Sequence, residues 1–209
     1  MPPKCQAYLV VDASPSGPAP AELARALQLA QIACVLLQPG AAERTDTERL
    51  PALVKAVQSQ NAAALVAEDA ALAVALAADG VHLAHDPDDE AALAKFKAAR
   101  ALLGPNRIVG AGSGFGRHQA MALAESGADY VAFGDSDGDE VDVAARLDLI
   151  AWWAEMFVVP CVAWAVASPA EAAELARAGA DFVATGPTGG LSDALAMLGG
   201  LNSTAMARV

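Results

Sequence analysis

The 209-residue sequence is short of positive charge, aromatic residues and cysteine, and each shortage excludes something. Thirteen Lys and Arg stand against 25 Asp and Glu, a net charge of −12. Such a chain repels polyanions over long range and carries no basic stripe, which argues against nucleic acid and anionic membranes as partners. No uninterrupted apolar run reaches the roughly 18 residues that a spanning helix needs. The opening MPPKCQAYLVVDASPSG has too short an apolar core for a secretion signal. Cys5, Cys34 and Cys161 are odd in number and widely spaced, without CxxC or Cys/His spacing. That usage points to a reducing, cytoplasmic setting rather than to disulfides or zinc. No GxGxxG loop follows the first strand-like run, so the usual dinucleotide signature is missing.

What the sequence does contain is alternation. Apolar runs at 6–11, 33–37, 63–66, 80–83, 107–110, 130–133, 158–163 and 182–185 are short and nearly continuous, as in strands covered on both faces. Helical patterns follow at 22–31, 46–59, 70–78, 88–102, 116–126, 142–156, 169–178 and 191–199. The clearest helix start is Ser168-Pro169-Ala170-Glu171, with a capping serine, a first-turn proline and a capping-box glutamate. Gly127-Ala128-Asp129-Tyr130-Val131-Ala132-Phe133-Gly134 returns as Gly179-Ala180-Asp181-Phe182-Val183-Ala184-Thr185-Gly186, and more loosely at 78–83. Eight repeated units without a linker predict one (β/α)8 TIM barrel over residues 1–209.

Ligands of such a barrel bind at the carboxyl ends of the strands. The loops expected there are acidic: Glu68 and Asp69; Asp86, Asp88, Asp89 and Glu90; Asp135, Asp137, Asp139, Glu140 and Asp142. The loop cations are Arg44 and Arg117. Each acid has a plain structural alternative as a helix cap, and Asp86-Pro87 reads as a cap and first-turn pair. The 135–140 cluster reads as a solvated acidic loop before it reads as a calcium site. His82 and His85 form an HxxH at a strand end, where two residues three apart face opposite ways, so joint metal ligation is not expected. Gly186-Pro187-Thr188-Gly189-Gly190 occupies the usual barrel phosphate position, with a plain turn as the equal alternative. Trp152, Trp153 and Phe157 suggest core packing or a subunit interface, and thus a homo-oligomer.

The stretch Leu65-Val66-Ala67-Glu68-Asp69, followed by Leu72-Ala73-Val74-Ala75-Leu76-Ala77-Ala78-Asp79-Gly80-Val81-His82-Leu83, resembles thiamine phosphate synthase and its TenI-type relatives. So do Leu103-Gly104-Pro105, Arg107-Ile108-Val109-Gly110 and the GAD repeats, in order and spacing. The resemblance implies a transferase of thiamine biosynthesis that joins a pyrimidine diphosphate to a thiazole phosphate and releases pyrophosphate. It implies Mg²⁺ as cofactor, with Glu68 and Asp86 at the carboxylate positions, Asp86 one place early. It implies substrate or phosphate contacts at Gln38, Ser113, Gly134, Trp164, Thr185, Gly186, Gly189 and Gly190. Departures share one sign. After Gln38 come Pro39 and Gly40 where the family carries two cations, and the loop after Gly134 lacks the family's lysine. Trp164 stands where the family presents a Gly-Gly-Ile run. Charged partners of a phosphate each contribute about 2–4 kcal/mol to the transition state. Three readings follow: a divergent synthase-like protein with weak or lost activity, still binding a thiamine precursor or phosphate; an active synthase with unusual ligands; and a non-catalytic barrel working through small-ligand or protein contacts. The orientation of Trp164, into the mouth or into the helix layer, separates a blocked site from an open one.

Overall fold

The computed structural model describes residues 5–29, 31–40, 48–134, 143–185 and 191–196. Eight parallel strands close in sequence order: β1 Gln6–Asp12, β2 Ile32–Gln38, β3 Ala63–Ala67, β4 Gly80–Leu83, β5 Ile108–Gly112, β6 Tyr130–Phe133, β7 Cys161–Val166 and β8 Phe182–Thr185. Between them run α1 Pro20–Leu29, α2 Arg49–Gln58, α3 Ala70–Ala75, α4 Asp89–Leu103, α5 Arg117–Glu125, α6 Val143–Met156 and α7 Pro169–Ala178, and residues 191–196 are helical. This is the expected (β/α)8 barrel.

The strands are apolar on both faces because each face meets a different core. Leu9, Val11, Val35, Val66, Val81, Val131 and Val183 point outward onto Leu23, Leu53, Phe96, Leu123, Ile150 and Leu175 of the helices. Tyr8, Val10, Cys34, Leu36, Leu65, Tyr130 and Trp164 point inward and fill the barrel.

The GAD repeat proves to be a clip on the barrel floor. Asp79, Asp129 and Asp181 each donate their backbone N–H to a carbonyl of the preceding strand and accept, through Oδ2, the N–H of that same residue. The partners are Ala64 (2.8 and 2.8 Å), Val109 (3.1 and 2.7 Å) and Cys161 (3.1 and 2.9 Å). Each clip satisfies a strand-end donor that would otherwise be unpaired. The repeat is thus a device of the fold, placed at the end of the barrel away from ligands.

Boundaries shift where backbone chemistry overrides apolar pattern. The seventh strand begins at Cys161, not at 158: Pro160 has no N–H for the ladder and Val158 is fully exposed. It continues to Val166, so Trp164 lies within the strand rather than in the loop after it. The fifth strand runs on through Gly110-Ala111-Gly112 despite the poor strand propensity of glycine. A Cβ on Gly110 would lie 1.9 Å from the Tyr130 ring, so the glycine makes room for that ring inside the barrel. The third helix stops at Ala75, and Ala77 takes a left-handed φ of 53°. The fourth begins at Asp89 with Asp88 as cap; Asp86 instead accepts the Asp88 N–H, which corrects the expected Asp86-Pro87 cap. The Ser168 cap forms, with Ser168 Oγ accepting from Glu171 N at 3.2 Å, while Glu171 Oε2 accepts at 2.9 Å from Ala167 N, one residue before the cap, rather than closing the expected box on Ser168 N.

Candidate active site at the barrel mouth

Four inward rings build a polar aromatic layer below the mouth. The Tyr8 and Tyr130 hydroxyls are 3.0 Å apart, and Tyr130 reaches His82 Nδ1 at 2.8 Å. The Trp164 indole lies flat on the His82 imidazole, with centroids 4.4 Å apart and planes at 11°, and edge-on to Tyr8 at 5.5 Å. His82 is 4% exposed and Trp164 5%. Burial, helped by the positive charge of Lys95, pushes His82 down from 6.5 to about 3, so the imidazole is neutral across the physiological range. Burial also raises both tyrosines well above their ordinary value. His82, not expected to join His85 in holding a metal, has a structural role as the centre of this layer. An apolar neighbour pattern hides a histidine whose partners come from β1, β6 and β7.

Above the layer remains a cavity of about 60 Å³, bordered by Gln38, Glu68, His82, His85, Gly134 and Trp164 among others. Drug-sized ligands occupy roughly 300–1,000 Å³, so this space suits a water or two. Trp164 therefore points into the mouth. A larger groove of about 600 Å³ opens at the opposite end, around Gln58, Asn61, Asp79, Asn106 and Arg107. It surrounds a floor clip, and barrel chemistry sits at the other face.

Among the described residues, Arg49, Lys95 and Arg146 reach the mouth from helices rather than loops, which is why loop composition concealed them. Arg49, the first residue of α2, donates to the carbonyls of Ala13, Ser14, Gly17 and Pro18 at 2.7–3.2 Å and holds the first loop closed. Lys95 of α4 pairs with Glu68. Arg146 of α6 pairs with Glu171 at 2.6 Å, both nearly buried. Arg117 lies over the Trp152 ring at 4.5 Å. Arg44 lies outside the described residues.

The remaining expected residues are placed as follows. Glu68, at a left-handed φ of 67°, turns its carboxylate onto the Ala84 N–H and Lys95. Asp86 is tied to Asp88 N at 3.0 Å, and its carbonyl accepts from Gln119. Ser113 is fully buried, its hydroxyl donating to Ala132 O at 3.3 Å. Thr185 Oγ1 accepts from Val10 N at 3.1 Å, which engages it in the barrel wall. Gly134, at φ 122°, packs against Trp164, where a Cβ would lie 3.0 Å from the Trp164 carbonyl. Asp69 caps α3 through Leu72 N. His85 Nδ1 contacts Gln119 Oε1 at 3.0 Å, and the residue borders the same small cavity as His82. Trp153 is core, its indole donating to Val159 O. Gly186, Gly189, Gly190 and the 135–140 acids lie outside the described residues. No group of three or more His, Cys, Asp or Glu that could hold a metal gathers among the described residues.

A family model described as thiamine monophosphate synthase matches residues 7–186. The chain belongs to the thiamine monophosphate synthase family. It is 34% identical to a thiamine-phosphate synthase of Rhodospirillum centenum over 186 residues, 86% of each chain. It is 40% identical to that of Hyphomonas neptunium over 151 residues, 70% of this chain and 66% of the relative. In three dimensions it resembles the thiamine phosphate pyrophosphorylase of Pyrococcus furiosus, with a TM-score of 0.73 at 21% identity, covering 96% and 97% of the two chains. At that identity the structural likeness supports the fold, and the sequence matches carry the family.

The family implies Mg²⁺ as cofactor. Magnesium is held by one or two carboxylates plus substrate phosphates. Glu68 already serves Lys95 and a backbone N–H, and Asp86 is turned into its own loop. To hold the ion both carboxylates would have to leave these partners.

Proposed function

We propose that this protein is a divergent member of the thiamine phosphate synthase family with weak or lost synthase activity. The observation that carries the reading is that, among the described residues, Arg49, Lys95 and Arg146 at the mouth are engaged by the chain itself. A leaving diphosphate needs free positive charge. Taking Arg146 from Glu171 would strand a buried carboxylate at about 3–5 kcal/mol, more than the roughly 2–4 kcal/mol one phosphate contact returns. Freeing Lys95 is easy, since half-exposed pairs are worth about 0–1 kcal/mol. It also frees Glu68, so the local charge stays near zero.

The residual role is binding of a small, weakly charged ligand at the mouth, where Gln38 borders the remaining cavity. The chain should fail to restore growth of a strain lacking the synthase while accumulating as folded protein. Restored growth without added thiamine would instead favour an active synthase using Glu68 and Asp86.

A further inference from the structure

Gln119, in the first turn of α5, is 3% exposed, and one orientation of its amide satisfies its surroundings. The Nε2 group donates to the Asp86 carbonyl and to Asp89 Oδ1, both at 2.8 Å. Turned the other way, the amide oxygen would face two acceptors. Oε1 is therefore the atom 3.0 Å from His85 Nδ1, and an amide oxygen only accepts. This puts the His85 proton on Nδ1. In the neutral ring the lone pair is left on Nε2.

That second nitrogen is kept clear. Among the described residues it meets no hydrogen-bond partner, and it is not sealed off as a buried atom. Two glycines make the room for the residue. A Cβ on Gly112 would lie 2.7 Å from the His85 backbone nitrogen, and one on Gly114, at φ 54°, 2.9 Å from Nε2. His85 borders the small cavity together with Gln38, Glu68 and Gly134. A histidine that serves packing alone has both nitrogens satisfied within the protein. Here one is held by a buried amide and the other is left to the mouth.

We propose that His85 is a hydrogen-bond acceptor built into the mouth, with Gln119 and Asp89 as its positioning residues, and that it takes a small neutral ligand bearing an N–H or O–H donor. The proposal rests on the reading of the mouth as a site for a small, weakly charged ligand, and adds the donor that such a ligand must carry. A ring held by a polar group that is itself held by a carboxylate has its tautomer and orientation fixed in advance. Asp89 acts through the amide and does not touch the ring, so its charge is kept off the imidazole. Glu68, the carboxylate on the same cavity, already serves Lys95 and the Ala84 N–H. The imidazole nitrogen is thus open to an incoming donor.

Two measurements on the full chain test it. Nitrogen-15 NMR of the imidazoles at about pH 9, above the ordinary histidine range, should show the His85 proton on Nδ1, while the exposed His118 shows the ordinary preference for Nε2. Gln119→Leu keeps the buried volume but removes the acceptor, and should send the His85 proton to Nε2. Gln119→Met serves as the second variant if leucine does not fold. The ligand probe is formamide, a small neutral molecule with N–H donors, titrated while amide resonances around the mouth are followed. It should bind saturably and shift His85 Nε2, and His85→Phe should weaken it at least about fivefold. A proton on Nε2 in the unmodified chain, or an unchanged tautomer in a folded Gln119 variant, would overturn the positioning by Gln119 whatever binds. The stated tautomer with equal uptake by His85→Phe would overturn the acceptor role alone. The stated tautomer with no uptake would overturn that role together with the mouth-ligand reading. Synthase activity enters none of these outcomes.

Discussion

His82 links two properties that a protein can be asked about separately, its stability in acid and the neutrality of its mouth. Folding holds the imidazole at about 3 against an ordinary 6.5, so between those values the unfolded chain binds the extra proton and stability falls as pH falls. Above 6.5 the group adds no slope. Below it the slope approaches about 1.4 kcal/mol per pH unit. Asp12, held low by its bonds to Ser14, adds its own loss below about 3.8, so the 6.5–4 window reports His82. Urea midpoints measured across that window should decline, and His82→Gln should flatten the decline even if it lowers stability throughout. An unchanged slope in that variant would assign the acid sensitivity elsewhere. Tyr130→Phe tests the same layer from its centre. Removing the hydroxyl leaves the Tyr8 hydroxyl and His82 Nδ1 without their shared partner, at about 1–3 kcal/mol. The expected sign is a lower urea midpoint with an unchanged slope against denaturant.

Among the elements, the clips and caps explain what was legible in the sequence and what was not. Asp181→Ala removes the acceptor for Cys161 N and should cost about 1–3 kcal/mol in urea unfolding. Asp129→Ala should cost more, because Arg100, which also holds Gly127 O and Arg107 O, loses its carboxylate partner at 2.5 Å. Equal losses at the two positions would mean that the Arg100 pair contributes nothing. The repeated GAD, the Ser168 cap and the eight apolar runs were readable because each is a local pattern with a local cause. The inward turn of Trp164 was not readable. It follows from β7 running past Ala163, which puts Trp164 on the same inward face as Val162, and the rings it meets there come from the distant strands β1 and β4. Arg49, Lys95 and Arg146 were passed over for a related reason. They belong to helices, and only the closed barrel carries helix residues to the loop face. The family resemblance located the mouth, and the departures from it marked where charge had changed.

At the scale of the whole molecule, a chain of net charge −12 presents to its ligands a mouth where, among the described residues, Arg49, Lys95 and Arg146 are matched by its own carboxylates and carbonyls. Raising ionic strength screens the background charge over about 10 Å at 0.1 M, so any anion affinity should depend weakly on salt unless a free cation is present. No helix among the described residues is long and apolar enough to cross a membrane. The most direct test is calorimetric titration of the full chain with inorganic pyrophosphate, with and without Mg²⁺. The account predicts no saturable heat at millimolar pyrophosphate under either condition. Micromolar, magnesium-dependent binding would contradict it, because it would require cations free to grip a diphosphate.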